Sequence, residues 1–112
     1  MSIQFSILSE GSISVVKIKG RILSDLDLEE LKERLEKNSL SQLVLDLSEL
    51  TNTNSSGIAF MIRAMTKARI NGGDVVLSNP NTGIQKLIDI SKLYEVFSIY
   101  NTTEEAINHF KK

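Results

Sequence analysis

The chain has 112 residues, 41% hydrophobic and 24% charged, enough for one domain with an ordinary core and too ordered a composition for a disordered segment. Its 13 Lys and Arg against 14 Asp and Glu leave a formal net charge of −1, without the basic field that a direct nucleic-acid binder uses to release counterions. No cysteine is present, which excludes disulfides, thiolate metal sites and cysteine nucleophiles and fits a reducing compartment.

The opening "MSIQFSILSEGS" has neither a basic leader nor a long apolar run, so no signal peptide is expected. The apolar runs along the chain are far shorter than the ~20 residues of a spanning helix, and no membrane insertion is expected. A cytoplasmic setting follows as the expectation. "IQFSIL" and "SISVVKIKG" are β-rich runs separated by "SEGS", with Gly11 suited to the turn of a hairpin. "SDLDLEELKERLEKN" changes to a helical period, with Leu28, Leu31 and Leu35 on one face. Ser24 and Asp27 form a capping-box-like start, and acids precede bases as the helix dipole favours.

"QLVLDL" is a nearly unbroken apolar run of strand length, suited to a central strand covered on both faces. "SGIAFMIRAMTKARI" resumes helical spacing, and the reading places Ile58, Met61, Ile62, Met65 and Ala68 toward the sheet, with Ala59, Phe60 and Arg63 outward. "NGG" at Asn71–Gly73 supplies a left-handed stop. "DVVLS" predicts a strand, "NPNTGIQKLIDISKL" a helix with Pro80 near its start, "VFSIY" a last strand and "TTEEAINHF" a closing helix. The order ββ-α-β-α-β-α-β-α predicts a single α/β domain over residues 1–112, with a mixed, largely parallel sheet after the hairpin and about four helices. The three methionines are read as core filler.

Enzymatic chemistry finds no support. His109, the only histidine, lies in the closing helix, no G-x-S-x-G elbow provides a nucleophile, and the glycines form no phosphate-binding fingerprint. Adjacent acids such as Glu29–Glu30 and Glu104–Glu105 point about 100° apart on a helix and do not make a catalytic pair. No catalytic residue, metal site or cofactor is expected.

The informative stretch is "TNTNSSG", where Asn54 stands as the N-cap of the second helix. Ser55, Ser56 and Gly57 then form its first turn, whose backbone N–H groups lack intrahelical partners. Capping alone accounts for such a sequence. The same geometry also suits a switch, because a phosphate on a first-turn hydroxyl meets free N–H donors and the positive end of the dipole. It would add nearly two negative charges without requiring the domain to unfold.

From Leu43 through Ile107 the sequence resembles the STAS domain of bacterial anti-sigma factor antagonists. The likeness rests on the "VLDLS" strand, the "SSG" helix start, "GG" before a strand, and "NPNTGIQKLIDISKL" before "VFSIY". The resemblance implies a partner-switching protein. Its unphosphorylated form binds an anti-sigma factor, often itself a serine kinase, and frees a sigma factor; phosphorylation breaks the complex and a serine phosphatase restores it. By position the resemblance makes Ser55 the phosphoacceptor, with Asn54, Ser56 and Gly57 as its neighbours. Ala59, Phe60 and Arg63 are the expected partner-facing residues, with Phe60 either an apolar anchor beside Ser55 or tucked under a neighbouring loop. Asn54 departs from the Asp that the family usually carries there: it keeps the capping oxygen and loses the charge. As both are strong caps, Asn54→Asp is expected on sequence grounds to change stability by less than about 1 kcal/mol. The alternative reading is a STAS adaptor without a phosphorylation cycle, serving a signalling scaffold or a lipid-transport complex. Oligomeric state is left open.

Overall fold

The computed structural model describes residues 3–38 and 41–111. Strands β1 (Ile3–Glu10) and β2 (Ile13–Arg21) form the expected hairpin, antiparallel from Ile3↔Gly20 to Glu10↔Ile13. Gly11 turns the chain with φ 63°, a left-handed conformation that costs glycine little. A short 3-10 turn (Asp25–Leu28) leads into α1 (Glu29–Asn38). The Asp27 carboxylate accepts from the backbone N–H of Leu23 (2.8 Å) and of Ser24 (3.1 Å), the reciprocal half of a capping box. Strand β3 (Gln42–Asn52) follows, then α2 (Ser55–Ile70), β4 (Asp74–Ser78), α3 (Thr82–Ser91), the two-residue β5 (Ile99–Tyr100) and α4 (Thr103–Phe110).

The sheet runs β1-β2-β3-β4-β5 in space, parallel everywhere except β1–β2. Alternation along the strands divides the core between its two faces. One face carries Val16, Ile18, Leu43, Leu45, Val75 and Leu77, packed with residues of α1, α2 and α3. The other carries Ile13, Val15, Val44 and Val76 beneath Ala106 of α4. Central β3 is therefore buried on both sides, which is why its sequence reads as an unbroken apolar run.

Four boundaries depart from the sequence reading. β3 continues past the apolar run to Asn52, pairing with β2 as far as Arg21↔Asn52 across two register shifts. The helical pattern before Glu29 begins as a 3-10 turn. "VFSIY" contributes only Ile99 and Tyr100 to the sheet, because Leu93–Glu95 forms a further 3-10 turn and β4 offers pairing only at Leu77 and Ser78. Pro80 lies outside α3, whose N-cap is Asn81, with its side chain accepting from the Ile84 N–H at 2.8 Å.

The face of α2 is the larger correction. Gly57, Phe60, Met61, Met65 and Ala68 are buried, with Ala64 and, as expected, Ile58 half-buried against the same core. These positions form one i, i+3, i+4, i+7 stripe, but it is rotated from the expected one. Phe60 is 3% exposed and Ile62 39% exposed, the reverse of the sequence assignment. Phe60 is thus a core residue and not an exposed anchor.

Candidate functional site

Parallel strands deliver the following helices to the carboxyl edge of the sheet, and there β3 hands the chain to α2. Asn54 has extended backbone (φ −140°), as an N-cap requires, and its Oδ1 accepts from the Ser56 N–H at 3.0 Å. Its carbonyl accepts the first helical bond from Ile58 at 3.1 Å. The N–H groups of Ser55 and Gly57 have no acceptor among the described residues, so two first-turn donors stay open. The turn contains no acid, and the basic Lys67 and Arg69 lie at the far end of the helix. Ser55 is exposed and its hydroxyl makes no hydrogen bond among the described residues; Ser56 is half-buried.

Asn54 also does something its capping role does not require. Its Nδ2 donates to the carbonyl of Leu23 at 2.7 Å, across a sequence separation of 31. That bond joins the start of α2 to the connection between β2 and α1. Leu23 and Leu26 in this connection are 51% and 76% exposed. Sequence reading missed them as surface residues. The available signal was that Leu26 falls off the face shared by Leu28, Leu31 and Leu35.

Gly57 is needed for a steric reason. A Cβ there would overlap Thr53 Oγ1 and stand 3.3 Å from Ile22 Cδ1. Thr53 Oγ1 is buried with no hydrogen-bond partner among the described residues, so it serves as packing against the helix start. Gly57→Ala should therefore lower stability by about 1 kcal/mol, overpacking outweighing the gain in helix propensity. Adding Thr53→Ala removes the obstructing hydroxyl and should make Gly57→Ala neutral or favourable. Thermal melts of the two single variants and the double check this, and a stabilised Gly57→Ala single variant would contradict it.

Of the remaining expected partner-facing residues, Ala59 and Arg63 follow Ser55 at i+4 and i+8 along one side of α2. Ala59 is half-buried one turn along, whereas Arg63 is exposed about 12 Å along the axis. Arg63 lies on the rim of a groove of about 510 Å³ between α1 and α2, over a floor that includes Leu35, Leu43 and Phe60. His109 is on α4, on the opposite face of the sheet from α2, where its Nδ1 lies 2.7 Å from the Tyr100 hydroxyl. Neither serine has it as a base. No described helix is long and apolar enough to cross a membrane.

Comparison with known proteins gives a consistent picture. The profile of the STAS domain family matches residues 6–106. An anti-sigma F factor antagonist of Paenibacillus polymyxa is 21% identical over 114 residues, covering 99% of this chain and 97% of its own. An anti-sigma factor antagonist from Mycobacterium paratuberculosis superposes with a TM-score of 0.82 at 25% identity, covering 99% of this chain and 96% of its own. The Bacillus protein SpoIIAA, an anti-sigma factor antagonist, superposes in its unphosphorylated form with a TM-score of 0.82 at 19% identity, over 96% of each chain. Its phosphorylated form gives 0.68 at 18% identity, covering 96% of this chain and 98% of its own.

Proposed function

The chain belongs to the STAS domain family, and from that premise we propose that it is a cytoplasmic anti-sigma factor antagonist that works by partner switching. Unphosphorylated, it binds an anti-sigma factor that is also a serine kinase, and a sigma factor is released. Transfer of the ATP γ-phosphoryl group to Ser55 Oγ, with release of ADP and loss of the hydroxyl proton, breaks the complex; a serine phosphatase hydrolyses the ester to the free hydroxyl and inorganic phosphate and resets the cycle. One observation carries the reading: Ser55 is an exposed hydroxyl with no hydrogen bond among the described residues, in a first turn whose N–H donors are likewise open among them and which has no acid. A phosphate is favoured there by the dipole and the free donors. Exposed Leu23 and Leu26, joined to that turn through Asn54, offer apolar area beside it for a partner. The relatives named as antagonists support the class of partner.

Native lysate passed over immobilised wild-type chain, with mass spectrometry of the bound proteins, identifies the partner. With that partner and ATP, phosphate should map to Ser55 and disappear in Ser55→Ala. Ser55→Asp should weaken partner binding about thirtyfold, roughly 2 kcal/mol, in isothermal titration, with a nearly unchanged melting temperature. Label that persists in Ser55→Ala and vanishes in Ser56→Ala would move the acceptor. The neutral Asn54 favours a second reading, a STAS adaptor with no phosphorylation cycle. A captured anti-sigma factor that binds wild type and Ser55→Asp alike, and transfers no phosphate, would select that reading.

A further inference from the structure

We infer that Asn54 is a positioning residue whose neutral amide joins the first turn of α2 to the Leu23–Leu26 segment and so sets the shape of the surface around Ser55. The amide uses both of its ends. Oδ1 accepts from Ser56 N–H (3.0 Å) and Nδ2 donates to Leu23 O (2.7 Å). On one side of Leu23, Ile22 N–H is held by Asn52 O at 3.0 Å. On the other, the N–H groups of Leu23 and Ser24 close back onto Asp27 within their own turn. Ile22 and Leu28 are buried on either side of the two exposed leucines, and the Asn54 donor adds to that packing a hydrogen bond from the residue preceding Ser55. An ionised aspartate caps equally well but has no donor, and it would set two acceptor oxygens 2.7 Å apart. One of them must move. The carboxylate would also occupy the positive end of the α2 dipole with a charge of its own, beside the hydroxyl that a phosphate would share. An amide leaves that field to Ser55.

The functional half of this inference rests on the antagonist reading; the structural half does not. Amide hydrogen exchange by NMR on the full chain tests the structural half in wild type, Asn54→Asp and Asn54→Ser. At pH 7, Asn54→Asp should retain protection at Ser56 N–H, since the cap survives, and exchange at least tenfold faster at Leu23 and Ser24. The cap bond and the dipole hold the introduced carboxyl below the usual aspartate range, so at a pH low enough to protonate it, it becomes a neutral acid. It can then accept from Ser56 and donate to Leu23 O together, so its exchange ratio to wild type, in which the Asp27 carboxylate bonded to the same two amides is common to both proteins, should return toward one. Asn54→Ser, a cap too short to reach Leu23 O, should loosen the same amides without that recovery. Unchanged exchange in Asn54→Asp at pH 7, or a deficit that does not respond to pH, would overturn the tie. Affinity for the captured anti-sigma protein tests the functional half, and should fall at least tenfold in Asn54→Asp at pH 7. Looser amides with wild-type affinity would overturn the positioning role and leave the antagonist reading standing. Failure of the wild-type chain to capture any anti-sigma protein would defeat the antagonist reading, while the exchange measurements still decide the tie.

Discussion

Phe60→Ala should destabilise the domain by about 3 kcal/mol, the lower end of the cost of truncating a buried phenylalanine. Phe60 is 3% exposed and belongs to the main core on the face of the sheet covered by α1, α2 and α3. It also forms part of the floor of the groove between α1 and α2, with Leu35 and Leu43. Truncation there widens an open groove that water can enter, not a sealed void, which places the cost below the range's upper end. For a chain of this size the loss corresponds to a fall of roughly 10–15 °C in melting temperature. At a temperature where the variant remains folded, affinity for the anti-sigma partner should stay within about threefold of wild type. A melting temperature within about 2 °C of wild type, together with lost binding, would make Phe60 an exposed anchor after all.

The rotation of α2 shows where sequence periodicity loses its power. Apolar residues at 58, 59, 60, 61, 62, 64 and 65 surround the first half of the helix, so several stripes score alike. What selects among them is steric and distant: the glycine at 57 lets the helix start rest on Thr53 and Ile22, and that turns Phe60 inward. Elsewhere the chain is locally consistent. The hairpin, the doubly buried run of β3, "DVVLS" and the capped closing helix are where their patterns place them. The Thr102 hydroxyl accepts from Glu105 N–H at 3.1 Å, as its sequence position predicts. Strand ends were less legible, since β3 extends and β5 shrinks according to what its neighbour offers for pairing.

The site divides in the same way. Asn54, Ser55 and Gly57 were visible as a capped helix start because capping is local. The Asn54–Leu23 bond was not, because it spans 31 residues and depends on how two connections meet at one sheet edge. Equal capping strength, on which the small stability change expected for Asn54→Asp rests, does not replace a missing donor. Arg63 is exposed as its outward direction predicts, two helical turns from Ser55 along α2.

Gly73→Ala should be as damaging as Phe60→Ala, about 3 kcal/mol, for a reason that involves no buried side chain. Helix α2 ends in a Schellman motif: Gly73 N–H donates to Ala68 O at 2.8 Å and Gly72 N–H to Arg69 O at 3.1 Å. Gly72 takes the left-handed conformation at φ 87°, and a Cβ on it would meet nothing within 4 Å. A Cβ on Gly73 would overlap the backbone carbonyl of Ser41. That oxygen cannot swing aside as a side chain would, because it accepts from Asp74 N–H at 2.8 Å at the point where β4 begins to pair with β3. Relief requires parting the two strands at Gln42↔Asp74 or breaking the helix stop, and either exceeds ordinary overpacking. Gly72→Ala faces only its positive φ, at about 1 kcal/mol. Denaturant unfolding of the two variants should rank them in that order, with the midpoint of Gly73→Ala clearly the lower. Equal midpoints would mean that β3 and β4 can separate at Ser41 without cost, and that the close approach does not hold the register.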